Sequence, residues 1–93
     1  MVVHAHVDTA HSRVGGPRFG LIVSKAVGDS VTRHRVSRRL RHIAAELLAD
    51  TDPDMKIVIR ANRASVDAPY RDLLGDMRSG LASATARARQ SLT

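Results

Sequence analysis

Alternating and continuous apolar patterns predict three β-strands in this chain. In VVHAHVD, residues 2–8, every second residue from Val3 onward is apolar, which is typical of a strand with one buried face. The stretch FGLIVSKAV, residues 19–27, is almost continuously apolar and predicts a central strand covered on both faces. MKIVIRA, residues 55–61, is a further apolar segment of strand length.

Two longer segments carry the periodicity of amphipathic helices. Gly28 interrupts the second apolar stretch, and either Asp29 or Ser30 can cap the helix that follows. One apolar stripe recurs there at spacings of four, three and four, formed by Val36, Leu40, Ile43 and Leu47. A second stripe follows Pro69 and consists of Tyr70, Leu73, Leu74, Met77, Leu81 and Ala84. Residues 85–93 are predicted to fray. The order β-β-α-β-α predicts one domain over residues 1–93, a mixed α/β (α+β) sandwich with both helices against the sheet.

Composition narrows the functional class. Fifteen Lys and Arg residues against nine Asp and Glu give a formal net charge of +6 and a pI of about 11.3. Such a balance favours nucleic acid or another anionic partner. The chain has no cysteine and no apolar run long enough to cross a bilayer. We therefore expect a soluble, basic domain of the cytoplasm.

Much of the basic charge is concentrated in VTRHRVSRRLRHIAAELL, residues 31–48. Arg35/Arg39 and Arg38/His42 are basic pairs at spacing i, i+4, and like charges at that spacing destabilise a helix by roughly 0.2–0.5 kcal/mol. Arg33 and Arg35 also lie near the positive end of the helix dipole, which disfavours cations. A solvated helix face is the alternative, but a helix arranged for its own stability would reverse this pattern, so the placement of charge favours binding of a polyanion.

Residues 18–43, RFGLIVSKAVGDSVTRHRVSRRLRHI, resemble the signature of the bacterial ribonuclease P protein component. That family has a strand R-x-G-[LF]-[VI]-V-S-K-K-x-G, followed by N-A-V-x-R-N-R-x-K-R-x-[LI]-R on a helix. The matching positions are Arg18, Gly20, Ser24, Lys25, Gly28, Val31, Arg33, Arg35, Arg38 and Arg41. The chain departs from the pattern at Ala26, Asp29 and His34. Family members also begin with an additional arginine-rich helix that bears aromatics, so the chain is expected to be N-terminally shortened.

The resemblance implies a protein that assists a catalytic RNA in removing the 5′ leader from precursor tRNA. It implies that the RNA performs the hydrolysis with magnesium, with no catalytic or metal-binding side chain in the protein. It also implies a ribosomal-protein-like fold with a left-handed β-α-β crossover, against the usual right-handed rule. The residues implied to contact the phosphates of the catalytic RNA are Arg33, His34, Arg35, Arg38, Arg39 and Arg41.

The resemblance further implies that the leader lies in a cleft between the arginine-rich helix and the sheet, bordered by Arg18, Phe19 and Lys25. Strand periodicity places Phe19 and Lys25 on one face with Leu21 and Val23, so Phe19 can equally be a core residue.

Other functions have weaker support. A ribosomal-type basic RNA-binding protein with no role in tRNA processing is the main alternative, and the Ser24-Lys25 strand leading into the arginines argues against it. A metal-dependent nuclease would need a carboxylate cluster, and residues 50–54 (DTDPD) lack the glycine and distal glutamate of a calcium loop. His4 and His6 have the spacing of a metal pair but no third ligand at a recognisable position.

Overall fold

The computed structural model describes residues 1–7 and 17–91, which form a three-stranded sheet with helices on one face. The strands are β1 (Val2–Val7), β2 (Arg18–Ile22) and β3 (Met55–Arg60). The helices are α1 (Ser30–Leu48), α2 (Ala64–Asp67) and α3 (Tyr70–Gln90), with a 3-10 turn at Lys25–Val27. The predicted α+β class and element order are confirmed, and the short α2 is an addition to them.

The strand at the centre of the sheet is β3 and not β2. The spatial order is β1-β3-β2, with β3 antiparallel to β1 and parallel to β2. The prediction of a central strand covered on both faces at residues 19–27 is therefore wrong. The chain leaves β2 after Ile22, which is 40% exposed, and Val27 reaches the core from the 3-10 turn instead. The parallel strands β2 and β3 are joined through α1, and the left-handed crossover predicted for this unit stays a prediction.

One face of the sheet forms the core with the helices. The register aligns Val3, Ile59 and Leu21 in one row across the three strands, and a second row contains Ile57 and Phe19. The stripe of α1 and the matching stripe of α3 pack on these rows, and Leu40, Ile43, Ile57, Ile59, Leu73, Met77 and Val36 are almost fully enclosed. Along β3 the residues alternate between this core and the opposite face, as expected for period two.

The start of α1 is set by a side-chain cap. Asp29 accepts a hydrogen bond from the backbone N–H of Thr32 at 2.8 Å, which satisfies one of the free donors of the first turn. The hydrogen bond from Thr32 is the main reason that the pKa of Asp29 lies below its usual value. Of the two caps that the sequence allows, the structure uses Asp29.

The last helix extends further than the sequence suggests. Residues 85–90, part of the tail that was predicted to fray, belong to α3, and Ala84 and Ala88 continue the buried stripe with small side chains. Residues 92–93 of that tail lie outside the described residues. Arg89 forms a bidentate contact with Asp54, at 2.9 and 3.1 Å, and also bonds to Asp52. These bonds, first to Asp54 and then to Asp52, raise the pKa of Arg89 and attach the end of α3 to the loop between α1 and β3.

Candidate nucleic-acid interface

The basic residues of α1 lie on the flanks and back of the helix, away from its buried stripe. Val36, Leu40 and Ile43 anchor the helix to the sheet, which fixes the direction in which the remaining side chains point. The exposed basic residues are His34, Arg35, Arg38, Arg41 and His42, whereas Arg33 and Arg39 are half-buried. The predicted RNA-contacting set is thus brought together on one element, with differing access to solvent.

Two of these arginines have guanidinium groups that form no hydrogen bond or ion pair with the described residues. Within residues 1–7 and 17–91, Arg35 and Arg38 form no hydrogen bond or ion pair. Arg41 makes one contact within the helix, from Nε to the Ser37 hydroxyl at 3.3 Å. Exposed guanidinium groups without internal partners are well suited to bidentate contact with phosphate.

Arg39 is different from its neighbours. Its Nη2 donates to the carbonyl oxygen of Ala68 at 2.6 Å, and its Nη1 donates to that of Val66 at 3.3 Å. Both bonds are partly buried, and they connect α1 to the segment that leads into α3. Because Arg39 lies only about 60° from Val36 around the helix, its angular position was a signal for this role.

Arg33 lies on the opposite flank of the stripe. Its Nε is buried, and no acceptor among the described residues reaches it. A buried donor without an acceptor costs stability, by roughly 1–3 kcal/mol when desolvation is complete. The burial of Arg33 Nε is therefore not explained by a hydrogen bond within the described structure.

Apart from the Asp29 cap, the end turns of α1 lack the charges that would stabilise a helix through its dipole. No acidic residue lies in the first turn, and no basic residue lies in the last turn. The positive end of the helix dipole therefore adds to the arginine charges, as the sequence indicates. Asp29, at the cap position, is the acidic group beside this end, and Arg33 and Arg35 help to keep its carboxylate charged.

A second basic surface lies on the face of the sheet that no described helix covers. The register aligns His6, Lys56 and Arg18 in one row across β1, β3 and β2, and all three are exposed. Arg60, four residues further along β3, is exposed on the same face, beside Ile22 of β2. The sequence analysis did not single out Lys56 and Arg60, although the alternation in MKIVIR was a signal for them.

The residues predicted to border a leader cleft are not brought together. Arg18 lies on the uncovered face, whereas Phe19 is half-buried on the core face, opposite Ile57 in the register. Lys25 is exposed but lies beyond the end of β2, so the prediction that it shares a strand face with Phe19 is wrong. The facing surfaces of α1 and the sheet pack together as core along the stripe, and the leader cleft predicted between them stays a prediction.

The remaining candidate sites are dispersed or already occupied by protein groups. Within the described part of the chain, no group of three or more His, Cys, Asp or Glu side chains can hold a metal ion. Asp52 and Asp54 bind Arg89, and His4 and His6 lie exposed on the uncovered face of the sheet. No helix in the described ranges has the length and apolar character needed to span a membrane.

Comparison with known proteins gives a consistent result. The family model described as Ribonuclease P matches residues 1–85. A ribonuclease P protein component from Nocardia farcinica is 48% identical over an alignment that covers 87% of this chain and 64% of the relative. Another from Mycolicibacterium vanbaalenii is 58% identical, covering 71% of this chain and 56% of the relative. The chain thus spans less than two thirds of the length of these relatives.

Among solved structures, the ribonuclease P protein of Staphylococcus aureus superposes with a TM-score of 0.69 at 20% identity. The match covers 88% of this chain and 72% of that structure, and it supports the fold.

Proposed function

The chain belongs to the ribonuclease P family, and we propose that it acts as the RNA-binding protein subunit of ribonuclease P. In this role it assists the catalytic RNA in removing the 5′ leader from precursor tRNA. The holoenzyme is an endoribonuclease of the cytoplasm, and the chain's own task is to bind and position RNA.

The observation that carries the proposal is the state of the arginines on α1. Arg35 and Arg38 are exposed and form no hydrogen bond or ion pair among the described residues, and Arg35 lies nearer to the positive end of the helix dipole. Phosphate oxygens would relieve both the mutual repulsion and the unfavourable dipole. We assign phosphate contacts to the exposed set of His34, Arg35, Arg38 and Arg41 together with Arg33, and only a secondary contact to Arg39, whose guanidinium is bonded to Val66 and Ala68.

The leader is proposed to bind the uncovered face of the sheet. In this row Lys56 and Arg18 offer cations at the spacing of neighbouring strands, about 4.8 Å, and His6 lies on the other side of Lys56. Apolar residues of the same face, including Val2 and Ile22, give the bases of a single strand a surface to contact. Of the three residues expected to border the leader cleft, Arg18 fits this location best, and Phe19 serves the core.

The chemistry is proposed to occur on the RNA subunit with magnesium. On the protein, the carboxylates of Asp52 and Asp54 are engaged by Arg89 and support the fold of the α1–β3 loop. The chain therefore contributes electrostatic binding and orientation, and we assign it no nucleophile and no general base.

A ribosomal-type RNA-binding protein is the alternative, and family membership does not favour it. The two functions are separated by a cleavage assay. With its cognate catalytic RNA at low magnesium, the chain should restore cleavage of precursor tRNA, and the chain alone should leave that RNA intact. Cleavage by the purified protein alone, or no stimulation of the RNA, would contradict the proposal.

The binding surface is tested by replacing Arg35 and Arg38 together with alanine. RNA affinity should fall, and the slope of log K against log salt should decrease by about 1.4–1.8 units, since two phosphate contacts are lost. The matched control is Arg78→Ala with Arg87→Ala, which removes the same charge from exposed positions of α3. An equal decrease in slope for the control would mean that net charge, and not α1, determines binding.

A further inference from the structure

The exposed aromatic residue of this protein lies beside the arginine-bearing helix. The chain contains one tyrosine, one phenylalanine and no tryptophan. Phe19 packs against the core, whereas Tyr70, the first residue of α3, is 41% exposed. The residues that attach α3 to the core are others, chiefly Leu73 and Met77, so the ring of Tyr70 is not required to fill the interior.

Side chains of α1 hold the ring of Tyr70 in place. Its hydroxyl donates to Glu46 Oε2 at 3.1 Å, and its ring centroid lies 6.2 Å from that of His42 at an angle of 55°. Partial desolvation, and then the bond to Glu46, raise the pKa of Tyr70, so the hydroxyl remains a donor across the neutral range. A tethered aromatic ring loses little additional freedom when a ligand contacts it.

The charges around the ring are those that a nucleotide requires. Arg35, Arg38 and His42 follow one another at spacings of three and four, which places them in a row along α1 that ends beside Tyr70. Arg71 follows Tyr70 directly in α3 and is also exposed. Cations that track a backbone next to an aromatic ring are the combination used to bind unpaired nucleotides.

We propose that Tyr70 and His42 form a stacking platform for an unpaired base of the RNA that α1 binds. This inference rests on the proposed function and adds to it a contact with a base, next to the phosphate contacts of the arginines. The stacked base belongs to a single-stranded or bulged nucleotide, because bases in a continuous duplex do not expose a face. The contact tolerates any base, since each has an aromatic face.

The test compares two RNA probes of equal length and charge, oligoadenylate and an oligomer of abasic ribose phosphate. Wild-type protein should bind oligoadenylate more tightly, by about 5- to 100-fold for one stacked base. Tyr70→Leu should abolish most of this preference while leaving the affinity for the abasic oligomer and the salt slope unchanged. Tyr70→Phe keeps the ring and loses the bond to Glu46, so it should retain most of the preference.

A spectroscopic measurement reports on the ring directly. Because Tyr70 is the chain's one tyrosine, incorporation of 3-fluorotyrosine gives a single fluorine resonance. The resonance should shift more on binding oligoadenylate than on binding the abasic oligomer. Thermal unfolding of each variant shows whether a change in affinity follows from a change in stability.

Two results would overturn the platform. The first is equal affinity of the wild-type protein for the two probes. The second is a Tyr70→Leu variant whose affinity for both probes falls by the same factor, which would make Tyr70 a structural contact. The Arg35→Ala, Arg38→Ala double variant distinguishes failure of the stacking platform from failure of the proposed function of α1. If it loses affinity while Tyr70→Leu does not, only the platform fails; if neither variant loses affinity, the proposed function of α1 fails with it.

Discussion

Replacing Arg39 by alanine should destabilise the fold, while the same replacement at the adjacent Arg38 should not. The side chain of Arg39 donates to the carbonyl oxygens of Val66 and Ala68, and both bonds are partly buried. Arg38 is exposed and has no bonded partner among the described residues. The two residues therefore compare a structural arginine with a binding arginine at consecutive positions of one helix.

The size of the effect follows from the two bonds. A hydrogen bond from a charged group contributes about 1.5–3 kcal/mol, and the bond to Ala68 at 2.6 Å has the better geometry. The bond to Val66 at 3.3 Å is weaker, and water can replace part of both, so we expect a loss of about 2 kcal/mol. Relief of the repulsion between Arg35 and Arg39 returns roughly 0.2–0.5 kcal/mol. The net loss of about 1.5 kcal/mol lowers Tm by about 6–12 °C in a domain of this size.

The assay is thermal unfolding of Arg39→Ala and Arg38→Ala, followed by salt titration of RNA binding at a temperature where both are folded. Arg38→Ala should keep its Tm and lose about 0.7–0.9 unit of salt slope, which corresponds to one phosphate contact. Arg39→Ala should lose less than half of that. An unchanged Tm for Arg39→Ala, together with a full unit of lost slope, would refute the structural assignment of Arg39.

Further predictions concern single sites elsewhere in the fold. Asp29→Asn keeps an N-cap acceptor but removes a negative charge, so RNA affinity should rise. Because the pKa of Asp29 is lowered, the stability that its charged cap contributes is present above the unfolded pKa and lost as pH falls through the folded pKa. In acid the Tm of the wild type should therefore fall further than that of the variant. Gly75→Ala should raise stability by about 1 kcal/mol, since nothing lies within 4 Å of the added methyl group. Gly80→Ala is its matched opposite and should lower Tm, because the added carbon would lie 2.7 Å from Val3 Cγ2. Lys56→Ala should weaken binding of precursor tRNA with a leader and leave the affinity for leaderless tRNA unchanged, which equilibrium binding to the two RNAs measures.

Periodicity predicted those elements whose residues divide cleanly between core and solvent. The alternation in β1 and the stripe of α1 are present in the structure, since each is maintained by burial of one face. The apolar stretch at 19–27 was misassigned because its residues serve three purposes: Leu21 packs on the core, Ile22 is exposed at the sheet edge, and Val27 enters the core from a turn. Composition alone does not distinguish these uses.

Three other differences depend on tertiary contacts that local sequence signals indicate only in part. The end of α3 lacks large apolar residues, yet Ala84 and Ala88 are buried because β1 approaches the helix closely. Arg39 has the same residue type as its neighbours in α1, and its role depends on where the carbonyls of Val66 and Ala68 lie in the folded chain. The basic face of the sheet was likewise missed, because its row is assembled from three strands that are distant in sequence.

The arrangement of α1 shows how one helix can specify both a fold and a ligand. Its stripe of Val36, Leu40 and Ile43 is fully enclosed and contributes the burial that holds the helix on the sheet. Each fully buried side chain of this kind contributes about 1.5–3 kcal/mol, whereas each unfavourable pair or dipole contact on the flanks costs less than about 1 kcal/mol. The stripe and the Asp29 cap therefore outweigh the repulsion between the arginines, and the basic flanks can remain ready for an anion without unfolding the helix. On this reasoning, substitutions in the stripe should reduce stability and RNA binding together, and substitutions at Arg35 or Arg38 should reduce RNA binding alone.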